Sequence, residues 1–281
     1  MVKPLDITFL SINMIKFSIL IAHYNNYHYF KECYDSILRQ TYKDYEIILV
    51  DDCSVDGSYQ KIIELTKDNP KVKVFRNNDN SGVGYTKKRC IDLASGEICG
   101  YVDPDDTLAE NALQIIIENY SENTIAVYSQ FYECDPKLKP VKVFSHSRAI
   151  KNGDKKFFNV FFEATHFFTF KRDAYYKTSG INEELTSAVD QDLYLKLYET
   201  GNFKFVKVPL YYYRIHEKGV SQESSKKEKL HKNWHQTILD TAIRRNIDHL
   251  YGKKISEIDN LPGFLKVKQN SIFKKIQRKL F

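Results

Sequence analysis

An α/β fold, with a mostly parallel central sheet and helices on both faces, is predicted by three features of the first hundred residues. Short, unbroken apolar runs read as strands buried on both faces. Segments with helical period separate them, and acidic residues collect where the runs end. The run at 17–22 is the first strand. Phe30, Cys33, Tyr34, Ile37 and Leu38 then mark one face of a helix by their i, i+3, i+4, i+7, i+8 spacing. Residues 45–50 form the second strand and 58–68 the second helix. A third strand at 72–75, a third helix at 84–94 and a fourth strand at 98–102 complete a β-α alternation that dictates parallel pairing.

Beyond residue 107 the order becomes mixed. A helix is expected over 108–120, and strands at 124–132, 141–144 and 166–170. Helices follow at 172–178 and 190–200, and strands at 203–206 and 208–215. The charged stretch at 223–232 reads as a solvated helix start leading into a face of Leu230, Trp234 and Ile238. The expected organisation is an N-terminal extension (1–16), one two-part domain (17–222) and a helical, basic tail (223–281). The domain divides into a nucleotide-sugar half (17–107) and an acceptor half (108–222).

Composition narrows the function. With 281 residues, 42% hydrophobic and 28% charged, the chain suits a soluble globular protein. It has no run long and apolar enough to span a bilayer. Residues 1–16 lack the basic start and small-residue cleavage site of a signal peptide, and residues 1–13 read as an extension ahead of Met14. Five cysteines, odd in number and never paired as Cys-x-x-Cys, argue against zinc or a disulfide framework and fit a reducing cytoplasm. The net charge of +6 is local, because residues 263–281 hold six basic residues and no acid. Removing those six leaves 36 basic residues against 36 acidic ones, so the body lacks the basic footprint of a nucleic-acid protein.

Ligands of a parallel sheet bind beyond the carboxyl ends of its strands. There the chain places Asp51-Asp52 and Asp103-Pro104-Asp105-Asp106. So many carboxylates at neighbouring strand ends call for a compensating cation, and a hard divalent ion that completes its shell with substrate phosphates fits best. Asp51 and Asp56 also suit helix capping.

Six motifs in order resemble the family 2 glycosyltransferases of the GT-A fold over residues 17–222. They are the opening strand and turn at 17–26, the Asp-Asp-x-Ser-x-Asp motif within 49–57 and the Asn-x-Gly turn at 80–82 with the run 94–106. Further on come the segment 170–185, Asp190-Gln191-Asp192-Leu193, and the Tyr-Arg-x-His segment at 213–221. The resemblance implies an inverting enzyme moving a sugar from a nucleotide-diphosphate donor, with a lean to uridine, onto a saccharide or lipid-linked glycan. It implies Mn²⁺ or Mg²⁺ on Asp105, with His216 as a second contact. It implies Tyr24 packed on the base with Ala22 and Asn25 in the same turn, Asp51 and Asp52 at the nucleotide, and Asp103 at the ribose or sugar with Asp106 in support. Lys87 would face the diphosphate, His166 and Asp192 would join the substrate contacts, and Asp190 would be the catalytic base. Three positions depart from the family pattern: Ala22-His23 replaces Pro-Thr, Lys87 replaces arginine, and Val189 replaces a glutamate.

Two rivals remain open at this point. Asp103-Pro104-Asp105-Asp106-Thr107 also fits the nucleophile motif of haloacid-dehalogenase-like phosphatases, although that motif belongs on a first strand. A nucleotide-sugar-binding module without catalysis would account for the departures at Lys87 and Val189. In the tail, Phe273, Ile276 and Leu280 with interleaved basic residues suit contact with an anionic membrane face.

Overall fold

A computed structural model of the chain describes residues 15–217 and 227–270. Strands β1 (Phe17–His23), β2 (Tyr45–Asp51), β3 (Val72–Arg76) and β4 (Ile98–Tyr101) alternate with helices α1 (Tyr27–Leu38), α2 (Ser58–Thr66) and α3 (Gly82–Leu93). These four strands pair in parallel in the order β3-β2-β1-β4. Strand β2 is buried along its whole length, apolar from Ile47 to Val50 and carrying two buried carboxylates, Glu46 and Asp51. The strand order reverses between β1 and β4, and at such a reversal the flanking loops diverge and leave a crevice.

The sheet continues through β8 (Phe168–Lys171), β6 (Thr124–Cys134), β9 (Asn202–Arg214) and β5 (Thr107–Leu108), with β7 (Pro140–Val143) beside β6. Strand β8 runs antiparallel to both β4 and β6, while β6 and β9 run parallel, so the second half is mixed as expected. The two strands expected at 203–206 and 208–215 are one, β9, whose register against β6 shifts around Gln130. The helix expected over 108–120 is α4 (Ala112–Glu118), preceded by the two-residue β5.

One core lies under α1 and α4, where Phe30, Cys33, Ile37, Leu113 and Ile116 meet β1 and β2. Leu38 ends the expected α1 face but is exposed. A second core packs Cys90 and Ile91 of α3 with α5 (Arg172–Tyr176) and α6 (Val189–Tyr198), including Leu193 and Leu197. All five cysteines are free, and all but Cys53 are buried.

Helices α7 (Lys227–Arg244) and α8 (Leu261–Gln269) build a third core. Trp234, Ile238, Leu261 and Leu265 close on Phe158 and Val160. Leu230, expected on the buried face, is exposed. Lys266, counted above with the basic end, lies 4.5 Å from the Trp234 ring. Burial lowers its pKa, so it belongs to the packed body. Phe273, Ile276 and Leu280 lie outside the described residues, as do residues 1–14 and the end of the 213–221 motif. Among the described residues no helix is long and apolar enough to cross a membrane.

Candidate active site

The loop after β4 carries Asp103, Asp105 and Asp106 into the crevice, and each is held differently. Asp106 is buried, accepting hydrogen bonds from the Tyr211 hydroxyl (2.8 Å) and the Arg214 N–H (2.7 Å). Burial and the charges of Asp105 and Asp103 push its pKa well up. The Tyr211 hydroxyl also accepts the Asp103 N–H at 3.1 Å, so one phenol ties down both ends of the loop. Asp105 points toward His216, with Oδ2 2.8 Å from Nε2. Burial and Asp103 raise the Asp105 pKa against the opposing pull of His216.

Arg214 braces this pair from behind. Its guanidinium donates to the carbonyls of Asp105 (2.7 Å) and Pro136 (2.6 Å) and to Glu32 of α1 (2.6 Å), and lies over Tyr29 at 4.4 Å. A planar fork with several donors suits that position better than a lysine would. Glu32 and Tyr211 gave no sequence signal, since a lone glutamate on a helix and a strand tyrosine are commonplace. Arg214 belongs to the Tyr-Arg-x-His segment, in which the sequence marks the histidine as a candidate ligand and leaves the arginine without a role.

Among the described residues no group of three or more His, Cys, Asp or Glu side chains forms a closed metal cage. Asp105 and His216 offer one carboxylate and one imidazole, and the buried His216 Nδ1 has no hydrogen-bond partner among the described residues. Two protein ligands fit Mn²⁺ or Mg²⁺, which characteristically leave the remaining positions to phosphate oxygens and water.

The side of the crevice expected to take the nucleotide is built from the β1–α1 turn and the end of β2. Tyr24 is 45% exposed and Asn25, also exposed, adopts a left-handed φ of 49°. The Asn25 side chain accepts the Val55 N–H and its own N–H donates to Ser54 Oγ, both at 2.9 Å, lacing the two loops together. Ala22 is half-buried at the end of β1. Asp51 and Asp52, expected at the nucleotide, turn inward. Asp51 is buried against His23 (3.1 Å) and Ser54 (2.5 Å to the hydroxyl, 2.9 Å to the N–H). Asp52 accepts the N–H groups of Ser81 (2.8 Å) and Gly82 (2.9 Å) at the start of α3, and Asn77 at 2.7 Å. A buried carboxylate there satisfies free helix donors and suits the helix dipole. Asp56 receives the Ser58 N–H at 2.9 Å, in the first turn of α2.

Asp190 occupies the first turn of α6, just after Ala188, whose φ of 59° sharply redirects the chain. Its side chain is 33% exposed, and its Oδ1 lies 2.7 Å from Lys87 Nζ. Burial opposes its charge, but Lys87 and His166 outweigh that and hold its pKa below the usual carboxylate range. Lys87, expected to face a diphosphate, is 7% exposed and lies between Asp190 and Asp103, 3.6 Å from the latter. Burial alone would lower its pKa; the two carboxylates raise it. His166 stacks on Tyr211 (5.0 Å) and Tyr213 (5.7 Å). Asp192, expected with the substrate contacts, is buried. It accepts Lys196 (2.7 Å) and the Asn182 N–H (3.1 Å), because two residues along α6, on the face opposite Asp190, its side chain points to the body and not the crevice.

The crevice thus gathers Asp103, Asp105, His216, Lys87, Asp190 and His166. The chain is similar to several known proteins. The description "Glycosyl transferase family 2" matches residues 18–178. A chondroitin synthase of Pasteurella multocida (strain Pm70) is 29% identical over 252 residues, covering 87% of this chain but 25% of that protein. The chain therefore spans about a quarter of that relative's length. Among solved structures, residues 1–349 of S. aureus TarS in complex with UDP-GlcNAc are similar at a TM-score of 0.69 and 20% identity, over 84% of this chain and 68% of that one. The mannosyltransferase PcManGT of Pyrobaculum calidifontis, solved with GDP-Man and Mn²⁺, is similar at 0.60 and 15%, over 90% and 68%. Likenesses at this identity show a shared GT-A fold. The haloacid-dehalogenase alternative is set aside, because the aspartate cluster follows the fourth strand of a sheet that matches another fold.

Proposed function

The chain belongs to the family 2 glycosyl transferases, and we propose that it moves a sugar from a nucleoside-diphosphate donor to an acceptor hydroxyl with inversion. The observation that carries this is the position of Asp190. An ionised, partly exposed carboxylate stands at a helix start, in the same crevice as Asp103, Asp105 and His216 but on a different element from the aspartate cluster. In this reading the acceptor hydroxyl gives its proton to Asp190 as its oxygen bonds to the anomeric carbon, and the bond to the diphosphate breaks on the opposite side. One base on one face needs no covalent intermediate. Its contribution is typically about 10²–10⁴-fold.

Mn²⁺ or Mg²⁺ held by Asp105 and His216 would neutralise charge developing on the departing diphosphate. Tyr24, exposed in the β1–α1 turn, offers a face to the base. A polysaccharide-synthase relative and a UDP-sugar-bound structural neighbour favour a uridine donor and a glycan acceptor. The basic end is assigned a peripheral contact with an anionic membrane surface, which suits a lipid-linked acceptor.

The test is Asp190→Asn, which keeps the size and shape of the side chain but cannot take a proton. The expected protein is folded, binds UDP with Mn²⁺ as the parent does, and transfers at least about 10²-fold more slowly. Near-normal turnover would locate the base elsewhere. A parent that binds donor but neither transfers nor hydrolyses it would favour the binding-module alternative.

A further inference from the structure

Lys87 is more tightly committed than a phosphate-binding cation needs to be. Its amine has given up most of its hydration, at 7% side-chain exposure, and lies 2.7 Å from Asp190 and 3.6 Å from Asp103. It also sits 4.9 Å from the centre of the Tyr101 ring, whose hydroxyl donates to the carbonyl of Lys87 itself. The two carboxylates come from distant parts of the chain, one from the loop after β4 and the other from the start of α6. Lys87 therefore spans the nucleotide and acceptor halves.

The helix beneath it is fixed from both sides. Asp52 binds the first N–H groups of α3. Further along, Gly84 lies against the carbonyls of Asn182, Glu183 and Leu185, and Lys88 pairs with Glu183 at 3.1 Å. The segment those contacts grip, 182–185, leads directly into Asp190. The separation of Lys87 and Asp190 is thus set by packing rather than left to two flexible side chains, which is what precise orientation of a base demands.

We propose that Lys87 is a positioning residue for the base, holding one oxygen of Asp190 so that the other is presented, ionised, to the acceptor hydroxyl. This rests on the reading of Asp190 as the base. Among the described residues Oδ2 of Asp190 has no hydrogen-bond donor, while Oδ1 is taken by Lys87. Other charged or titratable groups around Asp190 are His166 from the segment before β8, Asp103 from the loop after β4, Tyr101 of β4, and Tyr194 on α6 itself. Without Lys87 only His166 would offset the negative charge of Asp103 near Asp190.

Full-length Lys87→Met and Lys87→Arg proteins separate the roles. Binding is measured calorimetrically with UDP and Mn²⁺. Turnover is measured as UDP release from whichever of UDP-glucose, UDP-galactose, UDP-GlcNAc or UDP-GalNAc the parent uses fastest, between pH 6 and 9. For Lys87→Met the expected result is UDP affinity within about 3-fold of the parent and kcat lower by about 30-fold or more at pH 7. Part of that loss should return toward pH 9, because a base of raised pKa is deprotonated there. Lys87→Arg should keep at least about a tenth of parental kcat, since its charge still reaches both carboxylates; this arm decides if the methionine protein does not fold. A Met protein with kcat intact but UDP affinity down tenfold or more would make Lys87 a phosphate ligand and overturn the proposal. So would a kcat loss equal at every pH and not rescued by arginine. With an active parent, those outcomes remove only the role of Lys87. A parent inactive on every donor removes the base assignment, and this proposal with it.

Discussion

Replacing Gly84 by alanine puts a single methyl group where α3 meets the segment leading to Asp190. Gly84 has an ordinary helical backbone, so intrinsic preference alone would favour alanine by about 0.8–1.0 kcal/mol. The structure argues for the opposite sign. A Cβ built there would lie 2.7 Å from the Asn182 carbonyl oxygen, 2.8 Å from that of Leu185 and 2.9 Å from that of Glu183. These are backbone atoms and cannot rotate aside, so either α3 or the 182–185 segment must move. Overpacking of this kind typically costs about 1–3 kcal/mol. Set against the gain in helix preference, the net outcome ranges from roughly neutral to about 2 kcal/mol of lost stability. At about 2–4 °C per kcal/mol, the midpoint of thermal unfolding should fall by several degrees at the upper end. Because the displaced segment carries α6, kcat should fall more than UDP affinity. Scanning calorimetry together with UDP-release kinetics reads both. A Gly84→Ala protein with a raised unfolding midpoint and parental kcat would refute the steric reasoning.

Glu46 supplies a pH dependence. Burial would raise its pKa, but hydrogen bonds from Ser18, Lys73 and Ser95 outweigh it and lower the value to about 2. A depressed carboxylate stabilises the fold fully above its unfolded value near 4.5 and loses that contribution as pH falls toward about 2. The amount is on the order of 3 kcal/mol. Urea titrations of Glu46→Gln should show lower stability at pH 7 and a flatter decline between pH 4.5 and 2; parallel pH profiles would dismiss the assignment. For the metal, UDP should bind markedly better with Mn²⁺ or Mg²⁺ than with chelator, and Asp105→Ala should abolish the difference; equal calorimetric affinity with and without metal would reject the Asp105–His216 site. For the membrane contact, full-length protein should float with anionic vesicles while a chain ending at Asn270 stays behind, and equal flotation would discard it. The cut belongs after Asn270 because Leu265 is buried in the third core.

The parallel half of the sheet was legible because β1, β2 and β4 are buried on both faces and read as mostly apolar runs, while the half-exposed edge strand β3 was marked by its place in the β-α alternation. Strand β5 was not, since two residues carry no period, and β9 was divided by a register shift that depends on β6. The acidic cluster and Asp190 could be located by type and order along the chain. Their partners could not, because Lys87 and Asp190 are 103 positions apart and the Arg214–Glu32 contact spans 182. Asp51, Asp52 and Asp192 mark a limit of motif reading. An aspartate at a strand end or helix start can face the ligand or the protein, and a spacing pattern cannot distinguish the two.

The third core also has a consequence for the order in which the protein can be finished. Phe158 and Val160 are covered by Trp234, Ile238, Leu261 and Leu265. A growing chain on the ribosome therefore displays an oily face at Phe158 and Val160 until some hundred further residues have been made. Domains acquire structure from the N-terminus during synthesis, so the parallel part of the sheet can settle early while the part bearing Asp190 waits. Helices α7 and α8 act as a clasp, and a break between them would leave a protein with its aspartate cluster in place and an adhesive wound on the side of Asp190.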